Sequence, residues 1–287
     1  MALASWWLAR RAGDCGSFVV RVEDIDTPRV VAGSEARILD DLSWLGLAWD
    51  EPLVRQSART DAYERALARL AAEGRTYPCD CSRAEIARAA SAPHAGEEAV
   101  YPGTCRDLDP AREMKRLPSI RLRVPPVDIA SLDGACGRIV QRLDRDVGDF
   151  VLRRGDGVYA YQLAVVVDDL DAGVTDVVRG NDLLSSTPRQ VYLAELLGRS
   201  PPRYVHLPLV VDADSARLAK RTRGARVRAL RDAGIAREAI LGALGAALGL
   251  RKSPDPCTLQ EIAGASLDAW PTSSWAIPRA WADADAG

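Results

Sequence analysis

Apolar positions along this chain fall at two spacings, and the alternation between them predicts its elements. Phe18-Val-Val-Arg-Val22 is a short β-rich run that ends in Glu23-Asp24-Ile25-Asp26 and Pro28, which predicts a strand followed by a loop. Beyond it Ile38, Leu39, Leu42 and Leu45 recur at helical spacing, with Ser34 as the N-cap and Gly46 as the natural stop. The same grammar predicts a helix from Thr60 through Tyr63, Leu67 and Leu70 to Gly74. The opening stretch, Met1 to Arg11, is apolar with its basic residues behind it and shows no cleavage signal. It reads as a folded helix and not as a targeting segment.

Periodicity then fades. From Tyr77-Pro-Cys-Asp-Cys81 to about Ile120-Arg-Leu-Arg-Val124 the chain is rich in Pro, Gly, Ala and Arg, the look of an insertion. Asp149–Arg153 and Tyr159–Val167 flank an Arg-Gly-Asp-Gly turn, which predicts a hairpin. Val174–Val178 reads as a strand and Thr187–Gly198 as a helix with Pro188 in its first turn. From Ala225 onward the pattern is helical up to Ser253-Pro-Asp-Pro256. Strands alternating with helices indicate an α/β sheet interrupted by the cysteine-bearing insert.

Composition narrows the function. With 47% hydrophobic and 27% charged residues in 287, the chain can bury a substantial core, and wholesale disorder is excluded. Its 38 basic and 40 acidic residues leave a net charge of −2, so any nucleic acid is gripped regionally and not by the whole surface. The longest apolar run, Ala239 to Leu250, falls short of the roughly 20 residues that span a bilayer. The two histidines, His94 and His206, lie far apart, so carboxylates, lysines and thiols carry the chemistry. Six cysteines are too few for a disulfide scaffold, and the cluster Cys79, Cys81 and Cys105 points to a reducing cytoplasm and a metal site.

Glu23, Asp24 and Asp26 fall beyond the carboxyl end of a strand, where open α/β sheets bind ligands. They suit an ammonium group or, equally, cap the next helix. Arg179-Gly-Asn-Asp182 also follows a strand, where a guanidinium can clamp a carboxylate or simply form a surface ion pair. The window Arg217–Arg231 holds seven basic residues and no acidic ones, suited to phosphates of a nucleotide or an RNA, or to a solvated helix face. Three thiolates fall one short of tetrahedral zinc. Tyr101, His94 and Cys136 are candidates for the fourth ligand, with free thiols in a loop as the alternative.

In their order along the chain these blocks resemble one family, the glutamyl-queuosine tRNA(Asp) synthetases, shortened class I relatives of glutamyl-tRNA synthetase. Arg21-Val-Glu-Asp-Ile-Asp26 with Pro28-Arg29 is similar to the family's Arg-Ile-Glu-Asp-Leu-Asp segment, implying that Glu23 contacts the amino group of glutamate. Gln56-Ser57 follows, and Cys79, Cys81, Tyr101 and Cys105 resemble its zinc ligands. Tyr161-Gln-Leu-Ala-Val-Val-Val-Asp-Asp169 and Val178–Gln190 resemble the pocket's other wall, implying Tyr161 and Arg179 as glutamate contacts. His206-Leu-Pro-Leu-Val210 leads into Arg217-Leu-Ala-Lys-Arg221, similar to the nucleotide loop. There Arg217 and Ala219 replace the usual Lys and Ser, so Lys220 alone carries over as the catalytic, ATP-binding residue.

The resemblance implies a Rossmann-type, doubly wound parallel sheet for residues 1–74 and 148–215. It implies a zinc-binding, acceptor-binding insert over 75–147 and a nucleotide loop with a helical region over 216–287. It implies a cytoplasmic, monomeric ligase that joins ATP, with Mg²⁺, and L-glutamate into glutamyl-adenylate and passes the glutamyl group to the queuosine base of tRNA(Asp). The ordinary glutamyl-tRNA synthetase catalytic fragment and a non-catalytic zinc- and RNA-binding paralogue are the competing expectations. The family's opening strand, Pro-Ser-Pro-Thr-Gly turn and His-x-Gly-type segment have no counterpart in residues 1–287, and Met1 matches the body of the helix that follows them. An internal methionine taken as the start is the expectation, with poor stability and little adenylate formation in a chain that begins there.

Overall fold

The valine run after Tyr161 coils instead of extending, and much of the fold is arranged around it. The computed structural model describes residues 1–89, 100–211, 227–278 and 281. Helix α1 (Ala2–Arg11) buries Leu3, Ala4, Trp6 and Trp7. Strand β1 (Arg21–Val22), helix α2 (Ser34–Leu45) and strand β2 (Val54–Arg55) follow, the two strands pairing in parallel. The strand expected over Phe18–Val22 is thus regular only at its end. Ser34 is the first helical residue and not the cap. Gly33, at φ 73°, makes the turn into α2, and Gly46, at φ 80°, ends it, both in the left-handed region that glycine enters without strain.

Helix α3 (Thr60–Ala72) leads to β3 (Thr76–Cys79) and α4 (Arg83–Ala89). Strand β4 (Ser119–Leu122), the hairpin of β5 (Asp128–Asp133) and β6 (Gly137–Arg142), the short α5 (Leu143–Asp146) and β7 (Val151–Arg153) come next. Strands β3, β4 and β7 form an antiparallel sheet with β4 in the middle.

The predicted hairpin beyond β7 is the clearest correction. Arg154-Gly-Asp-Gly157 does turn the chain: Arg154 N–H donates to Val158 O at 2.8 Å and Arg153 bridges Tyr159. Pairing stops there, and Tyr161–Asp171 forms α6, with every residue from Leu163 to Leu170 buried. A helix covered on all sides is apolar on all sides, so its sequence lacks the 3.6-residue period that separates helix from strand.

Strand β8 (Asp176–Gly180), helix α7 (Thr187–Leu196, with Pro188 in its first turn) and β9 (Arg203–Leu207) follow. Strands β8 and β9 pair in parallel over five residues, and β5 joins β9 in parallel at Asp133↔Tyr204, giving the order β6-β5-β9-β8. Of the described sheets one is therefore parallel, one antiparallel and one mixed, and the parallel pairing resides in β1–β2, β8–β9 and the single β5–β9 contact. Among the described residues β1 and β8 each pair on one side only. Helices α8 (Val227–Asp232), α9 (Arg237–Ala247) and α10 (Leu259–Ala263) close the described chain.

Two cores result. One joins α3, α6 and α7 through Tyr63, Leu163 and Leu193. The other packs α1 against the carboxy-terminal helices through Trp6, Trp7, Leu241 and Ile262. There Trp7 meets Trp270 edge to face at 5.6 Å and donates its indole N–H to Ala265 O at 3.3 Å, giving a buried indole its polar partner. Among the described residues no helix is long and apolar enough to cross a membrane.

Inside the first core sits a charge. Asp168, 3% exposed on α6, accepts hydrogen bonds from Gln56 Nε2 at 2.9 Å, Arg59 Nε at 2.7 Å and Tyr63 OH at 2.9 Å. Burial and this carboxylate together push the Tyr63 hydroxyl far above its usual range. Replacing Asp168 by Ala leaves Gln56, Tyr63 and the Arg59 Nε–H without their buried acceptor, while Arg59 keeps Asp171 at 2.5 Å, so Asp168→Ala is expected to cost about 3 kcal/mol in urea unfolding.

Candidate active site

A cleft of about 1090 Å³ opens at the carboxyl end of β1, with Glu23, Tyr101, Arg121, Tyr161, Gln162 and Arg189 in its walls. The acidic run after β1 divides its labour. Asp24 accepts Ser57 N–H at 2.8 Å and Ser57 OH at 2.6 Å. Burial would raise its carboxyl, but these two bonds outweigh that and hold it below the usual range. Asp26 pairs with Arg29 and Arg154, each at 3.3 Å. Both tie the loop down, and neither caps α2. Glu23 is left half exposed in the cleft wall, 3.3 Å from Arg21 Nη2. Arg21 in turn binds Asp169 at 2.5 Å, so β1 and α6 are locked together beneath the cleft.

Tyr161 is the first residue of α6, which brings its ring into the cleft. Burial raises its hydroxyl's pKa; Arg179 works against that rise and Glu23 adds to it. The three residues expected to hold the amino acid therefore share one electrostatic neighbourhood. Arg179 itself is not in the cleft wall. It lies 8% exposed on β8, donating from Nε to His206 Nε2 at 2.9 Å, from Nη1 to Gln190 Oε1 at 2.7 Å and from Nη2 to Thr187 Oγ1 at 2.8 Å. Gln190 Nε2 continues to Gln162 Oε1 at 2.9 Å, and Gln162 does line the cleft. Three of the five guanidinium N–H groups are used in these bonds, one from Nε and one from each Nη.

The thiols form a second centre on the same wall. Cys79 ends β3, and its Sγ lies with those of Cys81 and Cys105 inside 4.8 Å of one another. Cys81 Sγ is 3.5 Å from Cys105 Sγ, and the Tyr101 oxygen is 3.3 Å from Cys79 Sγ and 3.8 Å from Cys81 Sγ. Tetrahedral zinc with Zn–S bonds of about 2.3 Å sets its sulfurs about 3.8 Å apart, so the donor spacing fits. Burial drives the Cys81 thiol up to about 12, reinforced by Cys105, and pushes the Tyr101 hydroxyl up as well. Cys79 also loses solvation, but the bond from Tyr101 and the Arg121 charge bring it below the usual thiol range. Donors that resist ionising together become a ligand set once a divalent cation shares their charge. Of the other fourth-ligand candidates, Cys136 is exposed in the β5–β6 turn with its Sγ 3.6 Å from His206 O. His94 lies outside the described residues.

Lys220 and the basic stretch from Arg217 through Arg226 also lie outside the described residues. The window's remaining arginines are engaged structurally. Arg228 binds Asp41 at 2.8 Å and also Asp40, while Arg231 binds Asp40 at 3.0 Å and covers the Trp44 ring. These two arginines fasten α8 to α2. The cleft also uses residues that the spacing did not single out, chiefly Arg189 and Gln162, whose only signal was their place inside the two wall segments.

A family model described as the catalytic domain of class I tRNA synthetases (E and Q) matches residues 1–266. A glutamyl-Q tRNA(Asp) synthetase of Geobacter sulfurreducens is 48% identical over 284 residues, covering 97% of this chain and 88% of the relative. One of Symbiobacterium thermophilum is 48% identical over 91% of this chain and 84% of the relative. A solved glutamate tRNA ligase from Elizabethkingia meningosepticum, in complex with its amino acid, superposes with a TM-score of 0.82 at 24% identity over 98% of this chain. The chain spans 64% of that ligase's length, and the likeness fixes the fold alone. On the matched residues and the shared fold together, the chain belongs to the class I tRNA synthetases of the glutamate and glutamine group.

Proposed function

We propose that this protein activates L-glutamate with ATP to glutamyl-adenylate and transfers the glutamyl group to the queuosine base of tRNA(Asp). The observation that carries the reading is a cleft lined by Glu23 and Tyr161 and joined through Gln162 and Gln190 to the buried Arg179, in a chain 48% identical over 97% of its length to a synthetase of that name. Glu23 takes the ammonium group of glutamate. The two remaining N–H groups of Arg179 take a carboxylate in bidentate fashion, and Tyr161 closes the space between them. Lys220 steadies the charge that builds as pyrophosphate leaves, with Mg²⁺ on the phosphates as in class I synthetases generally.

Cys79, Cys81, Tyr101 and Cys105 hold one structural zinc, which would supply a rigid crosslink and no reaction step. Because Tyr101 belongs to both the thiol centre and the cleft wall, that crosslink stiffens the face against which the acceptor lies. The stretch 75–147 acts as the acceptor-binding insert on the Rossmann-type body, and the protein works as a cytoplasmic monomer. The resemblance to a glutamate tRNA ligase in fold favours one other reading, transfer to the 3′ end of tRNA(Glu).

Three outcomes are expected. In glutamate-dependent charging assays, tRNA(Asp) carrying queuosine accepts glutamate, while unmodified tRNA(Asp) and tRNA(Glu) do not; equal charging of tRNA(Glu) at its 3′ end would establish the second reading instead. Glu23→Gln removes the ammonium's counter-charge from a half-exposed site, so glutamate KM is expected to rise about 10–100-fold at unchanged melting temperature. Cys79→Ser with Cys81→Ser is expected to lose about one equivalent of zinc in metal analysis, and full retention would place the ligands elsewhere.

A further inference from the structure

Arg179 and His206 are register partners on the parallel strands β8 and β9, so their side chains emerge side by side. His206 is fully buried, and its two ring nitrogens meet opposite demands: Nδ1 faces Asp133, while Nε2 faces Arg179 and, at 3.2 Å, Thr187 Oγ1, a hydroxyl that can donate to the same lone pair. Arg179 Nε–H can only donate, so the His206 Nε2 it meets at 2.9 Å must carry a lone pair. The proton of the neutral ring then sits on Nδ1, which faces Asp133 Oδ2 at 2.6 Å. Asp133 ends β5, 4% exposed. Its other oxygen accepts the backbone N–H groups of Ala135 at 3.0 Å, Cys136 at 2.8 Å and His206 at 3.2 Å. These bonds hold Asp133 ionised, so it remains a pure acceptor.

Burial keeps His206 below its usual pKa; Asp133 opposes that lowering and Arg179 adds to it. Tyr204, two residues earlier on the same strand face, stacks on the imidazole with centroids 6.1 Å apart and lies under the Arg179 guanidinium at 4.9 Å. The ring is thus fixed in plane, in tautomer and in charge. We propose that Asp133 and His206 are positioning residues for the amino-acid pocket: Asp133 sets the Nδ1–H tautomer of His206, and the bare Nε2 aims the Arg179 guanidinium so that its two remaining N–H groups meet the carboxylate of glutamate. The proposal rests on Arg179 being a glutamate contact.

Two histidines in the whole chain make the tautomer directly readable. In ¹⁵N-histidine spectra of the full chain, the imidazole that disappears in His206→Asn is expected to be neutral and Nδ1-protonated, without titrating between about pH 6 and 8. An Nε2–H tautomer or an imidazolium at neutral pH overturns the proposal without any variant having to remain active. In kinetics, an asparagine amide at 206 can replace the donor to Asp133 but stops short of Arg179, whereas a glutamine oxygen reaches the place of Nε2. His206→Asn is therefore expected to raise glutamate KM about tenfold in pyrophosphate exchange, with ATP KM and kcat within about twofold, and His206→Gln to recover most of that loss. Equal effects on glutamate and ATP, or no effect on glutamate KM, overturn it. Arg179→Gln separates the two levels. If it leaves glutamate KM unmoved, the pocket reading fails and the proposal with it; if it raises glutamate KM while His206→Asn does not, the proposal alone fails.

Discussion

The interaction on which the described active-site half depends is the neutralisation of two adjacent aspartates inside a fully buried helix. Asp168 and Asp169 sit on α6, where burial penalises each charge by several kcal/mol. Arg59, the residue just before α3, and Arg21 on β1 answer that penalty. The two carboxylates differ in how completely they are satisfied. Asp168 has three donors, whereas burial pushes Asp169 above its usual pKa, with Arg21 as its main counterweight. Apolar residues of the same size would stabilise a core as well or better, so the pair's contribution is registry. It ties α6 to β1 in one rotational setting, and that setting carries Tyr161 to the cleft that Glu23 lines.

The same logic recurs at Arg179 with the sign reversed. A guanidinium buried to 8% exposure finds neutral acceptors among the described residues: its three hydrogen bonds go to Gln190, Thr187 and His206. Asp133 stands one imidazole away. The cation is thus solvated by the protein without being neutralised by it, which leaves its charge available to a ligand. A direct ion pair at that position would have to be broken before a substrate carboxylate could bind. Preorganised neutral acceptors avoid that cost and orient the remaining N–H groups in advance.

Elements were legible where local chemistry and tertiary position agreed. Gly46 and Gly74 end α2 and the turn after α3, Pro188 opens α7, and the amphipathic stripe of α3 faces inward as its spacing indicates, whereas on α2 Leu45 is buried and Ile38 stands exposed at the cleft. Legibility failed at α6 because complete burial erases periodicity, and valine's preference for strands then misleads. It failed partially at β1, where backbone pairing depends on where β2 lies and not on the β-branched run itself. Glu23 in the cleft and the thiol cluster beside it were findable because their residue types are chemically pointed, whereas Tyr161 was reached only through the family resemblance. His206 was visible only as a rare residue, and its meaning resides in a pairing with Asp133 across 73 positions. No local pattern encodes such a pair, since the register of β5, β9 and β8 creates it.

Tyr101 shows how two centres can share one residue without competing for it. Its oxygen is committed to the thiols and to the Cys105 N–H at 2.8 Å, while its ring lies 3.7 Å beneath the Arg121 guanidinium in the cleft wall. Arg121 also donates to Asp149 O at 2.7 Å, and the Asp149 carboxylate accepts Tyr77 OH at 2.6 Å, so the arginine has little freedom to move. Tyr101 is thereby held from both sides, at its oxygen by the thiol group and at its ring by an arginine that is itself anchored to Asp149, so this part of the cleft wall is fixed before any ligand arrives.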